Sequence, residues 1–356
     1  MFHWWNKKTF CGGAFFVVNV PMITYALPYY ILLSFPRSTA DEARRHAQTS
    51  VPSAARLVRR VLDRIGTYHI ASIFRSTFRS LSKKELTVLY PSIDDNPPTD
   101  ARDGHNAGAH ERSEEVDSLS SSFEEINTVS EDEDIDTLVP NEAKYVILSI
   151  NRYERKKNVS LAIQSLALLE LKLTPSEWKS THLVVAGGYD SNLPENVQHF
   201  SELQALVLNL NLKDHVTFVR SCSSPAKRAL LARCLCLVYT PAHEHFGIVP
   251  LEAMLASRPV IAVNSGGPLE TVVNNKTGYL VPPESNAFAE AIARLVKDPV
   301  LVKRLGDAGS HRVRQCFSYS EFSRHLDDIV TGREEEIEIE GLGRGETVED
   351  IQRTVE

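Results

Sequence analysis

The sequence predicts the α/β class, a parallel sheet with crossover helices over residues 143–330, preceded by segments of different composition. Three observations predict it. Within 143–330, apolar runs of strand length alternate with amphipathic helical stretches, the order of strand–helix–strand units. Charge is segregated along the 356 residues: residues 1–93 carry 13 Lys and Arg against 4 Asp and Glu, 94–142 carry 2 against 16, 143–330 carry 21 against 17, and 331–356 carry 3 against 9. Only the third block has the balanced surface of an ordinary globular domain. Five Cys make no disulfide framework in a chain of this length, which suits a reducing compartment.

From residue 9 to residue 36 no charge occurs, and Lys7, Lys8 and Arg37 bound the run. It is long enough for a bilayer-crossing helix of roughly 20 residues. Pro21, Pro28 and the paired Gly12 and Gly13 oppose that, and the flanking basic residues on both sides leave orientation undecided. Two readings stay open for residues 1–40: a membrane anchor, or a buried strand pair. Over 54–81 the residues Arg56, Arg59, Arg60, Arg64, Arg75 and Arg79 interleave with apolar residues at helical spacing, so 41–93 is expected to be basic and helical. Such helices suit an anionic membrane surface or an ordinary solvated face. Nucleic acid is not an expected partner, because no recognition module accompanies the basic residues.

Residues 94–142, with the run Ser130-Glu-Asp-Glu-Asp134, are acidic, Ser-rich and poor in apolar side chains. They are expected to form a disordered insertion, and the acidic tail 331–356 is expected to behave likewise. In 143–330 candidate strands fall at 145–150, 182–186, 216–219, 236–239, 260–263 and 279–281, with helices between them and at 286–297, 299–316 and 319–330. A Rossmann-like domain results.

In such a sheet ligands bind beyond the carboxyl ends of the strands, so the loops there carry the chemistry. The first, Asn151-Arg-Tyr-Glu-Arg-Lys-Lys-Asn158, sets Arg152 and Lys157 across a strand-to-helix turn, where an Arg fork and a Lys charge can clamp a diphosphate and neutralise it as a leaving group. A solvated turn is the bland alternative. The second loop opens with Gly187-Gly188, which leaves room for close approach. The third, Glu244-His-Phe-Gly-Ile-Val-Pro-Leu-Glu252, places one carboxylate in a glycine-containing loop and the other about one turn into the next helix. Glu252 is suited to the vicinal diol of a ribose, and Glu244 to a sugar whose phosphate meets the helix's N-terminal amides. The fourth is Asn264-Ser-Gly-Gly-Pro-Leu-Glu270, where Gly266 and Gly267 permit close backbone contact and Pro268 suits a helix's first turn. His243 and His245 flank Glu244 without a third ligand of metal-site spacing, and Cys234 and Cys236 read as core. No metal and no cofactor is expected.

These residues resemble the retaining glycosyltransferases of GT-B fold that carry a Glu, seven residues, Glu motif in the donor domain. The likeness spans roughly 145–330: Glu244 to Glu252, the continuation Ala253-Met-Leu-Ala-Ser-Arg-Pro-Val-Ile-Ala262, then Gly266-Gly267-Pro268 with Glu270, then Thr277-Gly-Tyr-Leu-Val-Pro282. Within the family the wording is most similar to the mannosyltransferases of dolichol-linked oligosaccharide assembly in protein N-glycosylation. Residues 71–81 and Val88-Leu-Tyr-Pro-Ser92 also resemble the part of those enzymes just before the donor domain.

The resemblance implies GDP-mannose as donor and a dolichol-diphosphate-linked oligosaccharide as acceptor, at the endoplasmic reticulum membrane with the active site facing the cytosol. It implies Arg152 and Lys157 on the diphosphate, Glu252 on the ribose, and Glu244 with the backbone of Phe246, Gly247 and Ile248 on the mannose. His245, Val249, Gly187, Gly188, Gly266 and Gly267 complete the donor site. It also implies retention of configuration without a divalent metal. Residues 1–93 depart from the pattern, lacking the opening strand, glycine-rich loop and helix of an acceptor domain, so the resemblance implies a Rossmann-like GT-B donor domain preceded by an incomplete or divergent N-terminal half. Cys11-Gly-Gly-Ala14 and Leu33-Ser-Phe-Pro36 are the nearest remnants. A second reading is therefore a nucleotide-sugar-binding protein without turnover.

Overall fold

The computed structural model describes residues 64–65, 87–94, 128–129 and 138–331. The uncharged run 9–36, most of 41–93, most of the acidic stretch and the tail beyond 331 lie outside the described residues. Strands β1 (Arg64–Ile65) and β2 (Thr87–Val88) pair in parallel. Residues 64–65 are thus extended within 54–81, where the spacing predicts helix. Ile65 is β-branched and Gly66 follows it, and both disfavour a helix interior.

The main sheet has seven strands: β3 (Thr128–Val129), β4 (Tyr145–Ile150), β5 (Thr181–Gly187), β6 (Val216–Arg220), β7 (Cys236–Tyr239), β8 (Val260–Val263) and β9 (Gly278–Val281). Their order is β3-β6-β5-β4-β7-β8-β9, and every pairing is parallel. Around it lie α1 (Val159–Leu169), α2 (Pro175–Lys179), α3 (Pro194–Asn209), α4 (Ser224–Arg233), α5 (Ile248–Leu255), α6 (Pro268–Thr271), α7 (Ser285–Lys297), α8 (Pro299–Cys316) and α9 (Tyr319–Thr331).

The two faces of the sheet explain why the strands read as unbroken apolar runs. Successive side chains point to opposite faces, and both are covered. On one face Ile147, Leu183, Val185, Phe218, Val238 and Ile261 pack with Ile163 and Leu166 of α1, Leu203 of α3 and Ile292 and Leu295 of α7. On the other, Leu148, Val184, Val219, Leu237 and Ala262 pack with Leu230 of α4, Leu251 and Met254 of α5 and Val313 of α8. Each such residue buried contributes roughly 1.5–3 kcal/mol before entropy is charged. Helix starts are set locally: Ser223 accepts the Ala226 N–H and Asp298 accepts the Leu301 N–H, each with proline in the first turn.

The domain reaches back further than its predicted start at 143. Strand β3 lies inside the acidic stretch and pairs with β6, and Leu138 and Val139 are buried against the second face. A two-residue ladder and one apolar pair are enough for this, and the surrounding charges hide them in any compositional average. The segment 87–94 also docks on the second face. Tyr90 is buried there, and the Ile93 N–H donates to the Phe317 carbonyl at 2.9 Å.

This strand order has one reversal. From β4 the chain steps outward to β5 and β6, then returns to the other side of β4 for β7, β8 and β9. Beyond the carboxyl ends of β4 and β7, at that reversal, a sheet of this kind offers a crevice.

Candidate functional site

The loops leaving β4 and β7 meet across this crevice. The first contains a single 3-10 turn at Arg155–Lys157 and a left-handed Asn158 (φ 48°) that starts α1. Thr240, directly after β7, donates its hydroxyl to the Lys157 carbonyl at 2.7 Å, which ties the loops together at the base of the crevice. Above that tie the Lys157 ammonium donates to the Glu244 carboxylate. The two side chains are only 13% and 25% exposed, so the pair is shielded on most sides and its attraction is stronger than between two surface charges. Burial pushes the Glu244 carboxyl up, but the Lys157 hydrogen bond and charge, helped by the His245 N–H and ring, outweigh it and hold the group below the usual carboxylate range. Tyr239 shows the reverse: burial first, then the Glu244 charge and hydrogen bond, holds its phenol well above the ordinary value.

Glycine is required where the loop turns into α5. Gly247 has φ 83°, and a Cβ on it would sit 3.1 Å from the Tyr239 hydroxyl oxygen and 3.2–3.3 Å from its ring. The first turn of α5 has no side-chain cap among the described residues, so its N–H groups are available to an anion or a sugar oxygen in the crevice. Gly266 and Gly267 support this loop from beneath. A Cβ on Gly266 would lie 2.4 Å from the Glu244 carbonyl oxygen, and one on Gly267 would lie 2.3 Å from the Phe246 Cα. The Gly267 N–H donates to the Glu244 carbonyl at 2.6 Å. The close backbone contact expected of these glycines is therefore made with the Glu244 loop itself.

Glu252, on α5, takes a hydrogen bond from Lys227 of α4 at 2.6 Å through Oε1. Its Oε2 is buried and has no hydrogen-bond partner among the described residues. An open acceptor on a carboxylate otherwise held in place is the arrangement a ligand hydroxyl can complete. Lys227 was not foreseen as a site residue. The rule that singled out the other loops would have found it, since α4 begins just beyond the carboxyl end of β6.

Other expected residues sit as follows. Arg152 is exposed and pairs with Glu154 at 2.7 Å within its own loop; it lies beside Gly188, whose carbonyl accepts the Tyr153 N–H at 3.2 Å. Gly187 ends β5 and accepts the Ser221 N–H at 2.8 Å. The Phe246 ring is buried in the core and its backbone packs on Gly267, while Ile248 is exposed and Val249 half-buried. His245 is exposed, and the His243 N–H donates to Ser265 Oγ at 3.1 Å. Among the described residues no group of three His, Cys, Asp or Glu side chains is placed to hold a metal ion. Cys234 and Cys236 are fully buried, and burial pushes the Cys234 thiol up to about 12. Neither is a nucleophile at neutral pH.

The family model described as "Glycosyl transferases group 1" matches residues 130–312. The α-1,3/1,6-mannosyltransferase ALG2 of Mus musculus is 43% identical over 267 residues, covering 75% of this chain and 57% of that protein. That of Homo sapiens is 42% identical over the same shares, and that of Dictyostelium discoideum is 39% identical over 73% and 58%. The chain thus spans a little over half the length of these curated relatives. Among solved structures, Anabaena Alr3699/HepE in complex with UDP superposes with a TM-score of 0.55 at 21% identity, over 76% of this chain and 63% of that one. A sucrose-phosphate synthase from Thermosynechococcus elongatus gives 0.54 at 23%, over 76% and 57%. At those identities the likeness speaks for the fold.

Proposed function

The chain belongs to the group 1 glycosyl transferases, and we propose that within that family it transfers mannose from GDP-mannose to a dolichol-diphosphate-linked oligosaccharide, with retention of configuration and without a divalent metal. The observation that carries the reading is the Lys157–Glu244 pair at the strand-order reversal, its carboxylate in the loop that leads into α5. A cation, a carboxylate and free helix amides within one crevice suit a nucleoside diphosphate linked to a sugar. The mannosyltransferase relatives and the resemblance of the 244–252 and 151–158 loops support this substrate class.

In this reading Lys157 and Arg152 bear on the diphosphate. The bond between mannose C1 and the phosphate oxygen breaks, negative charge grows on GDP, and fixed cations stabilise it without having to reorganise. Lysine has three donors, so Lys157 can keep Glu244 while adding a phosphate oxygen. Glu244 accepts from mannose hydroxyls and orients C1, the α5 amides hold the sugar's other edge, and Glu252 fills its open acceptor with a ribose hydroxyl. The acceptor hydroxyl oxygen bonds to C1 on the face that GDP leaves, and its proton passes to the departing diphosphate. Lys157 supplies the charge that a divalent cation supplies elsewhere.

The test is calorimetric titration of the full chain with GDP-mannose, followed by mannose transfer to a mannosylated dolichol-diphosphate-chitobiose acceptor in detergent. Binding with transfer is expected. Binding without transfer would reduce the reading to donor recognition, and absence of binding would end it.

A further inference from the structure

We infer that Tyr90 is a positioning residue for the Glu244 loop, and that the segment preceding the sheet domain therefore sets how the donor's sugar is held. The inference rests on the assignment of Glu244 to the sugar made above. Tyr90 stands outside every strand and helix and far from Glu244 in sequence, yet it touches that loop's supports on two sides.

Its ring lies nearly parallel to that of Phe246, two residues after Glu244, with centroids 5.9 Å apart and planes at 26°. Phe317 closes the cluster edge-on, 5.3 Å from Tyr90 and 5.9 Å from Phe246. The Tyr90 hydroxyl donates to Glu270 Oε2 at 2.9 Å, and both residues are buried. Glu270 is on α6, the short helix that opens immediately after Gly267, whose N–H grips the Glu244 carbonyl. Arg312 of α8 pins the same helix by donating to the Glu270 and Thr271 carbonyls at 2.8 and 3.0 Å. One side chain thus bridges the two structures that define the Glu244 main chain: the Phe246 anchor and the Gly267 grip.

The division of labour between ring and hydroxyl is physical. Stacked rings tolerate lateral sliding, because dispersion is non-directional, whereas a phenol-to-carboxylate hydrogen bond is short and directional. The hydroxyl therefore fixes where along Phe246 the ring sits. Tyr90 is itself held by the Ile93 N–H on the Phe317 carbonyl and by the parallel bridge of Ile93 to Ser318.

The experiment uses the full chain carrying Tyr90→Phe, which keeps the ring, and separately Glu270→Gln, which keeps an acceptor. Two quantities are read: amide hydrogen exchange of the peptide covering 240–250, without ligand, and the ratio of affinities for GDP-mannose and GDP. Tyr90→Phe is expected to speed exchange at 244–247 and to weaken GDP-mannose by up to about tenfold, while GDP stays within about twofold. Glu270→Gln is expected to fall between wild type and Tyr90→Phe. Unchanged exchange at 244–247 in Tyr90→Phe overturns the positioning role, and so does an equal loss of both ligands, which would mark general destabilisation. If wild-type protein binds neither nucleotide, the donor reading fails and the exchange measurement alone decides whether Tyr90 positions the loop.

Discussion

Lys157 and Glu244 lie 87 residues apart in sequence and meet because two parallel strands end side by side. Each removes the other's charge from a half-dry crevice, so the two should not respond alike to substitution. Lys157→Ala is expected to weaken both GDP and GDP-mannose, by roughly 1.5–3 kcal/mol for a charge-assisted contact. Glu244→Gln is expected to weaken GDP-mannose while leaving GDP nearly unchanged; calorimetric titration of each variant with the two ligands separates the roles, and a Lys157 variant of unaltered affinity would remove that lysine from the diphosphate site. Because the Glu244 carboxyl is held below the ordinary range, binding should lose nothing to its protonation on the acid side of neutrality. Lys227 carries the parallel expectation: Lys227→Met takes away the hydrogen bond that holds Glu252, so GDP affinity should fall with little change in the preference between GDP-mannose and GDP.

At the scale of the element, β5 carries a charge-sensitive position unrelated to the site. His182 is buried, with Nε2 2.9 Å from the Thr217 hydroxyl on neighbouring β6. His215, whose ring stacks on Trp178 at 4.1 Å, approaches from the strand's start. Burial first, and then the nearness of His215, lowers the His182 pKa to about 4, against about 6.5 in an unfolded chain. Above pH 6.5 the imidazole is neutral in both states and contributes no pH dependence. Between 6.5 and 4 the unfolded chain binds a proton that the folded chain refuses, so stability falls with acidity by on the order of 3 kcal/mol across the window. Thermal midpoints measured from pH 7.5 to pH 5 should therefore drop, and His182→Gln should flatten the slope; equal slopes in both proteins would mean that other groups cause the fall. Neither histidine contact is visible in the sequence, where 182 reads only as the polar first residue of an apolar run.

For the whole molecule, the two sequons Asn158-Val-Ser160 and Asn275-Lys-Thr277 report on topology. A cytosol-facing site at the endoplasmic reticulum predicts that both stay bare in native protein; intact-mass or glycosidase-shift measurement finding sugar on Asn158 would place the basic loop in the wrong compartment. Among the described residues no helix is long and apolar enough to cross a membrane, and the uncharged run 9–36 lies outside them. Much of the domain was legible because parallel strands buried on both faces leave an unbroken apolar record, and because the 244–252 loop gathers two carboxylates and a glycine into nine consecutive residues. What escaped notice is long-range. Tyr90 on Glu270, Lys227 on Glu252 and the ladder of β3 with β6 join residues 180, 25 and 90 positions apart, and no local periodicity records such pairings. The parallel order also bears on how the chain comes off the ribosome. Central strand β4 is made before either of its neighbours, and its β7 flank stays uncovered until more than eighty further residues have been added. A nascent chain from which β4, β5 and β6 have emerged but β7 has not would hold those three strands with one raw edge of unpaired amides and carbonyls, the condition under which strands recruit foreign partners. Biogenesis of this protein should therefore depend on holding chaperones most heavily midway through translation, and that dependence should end once β7 has docked.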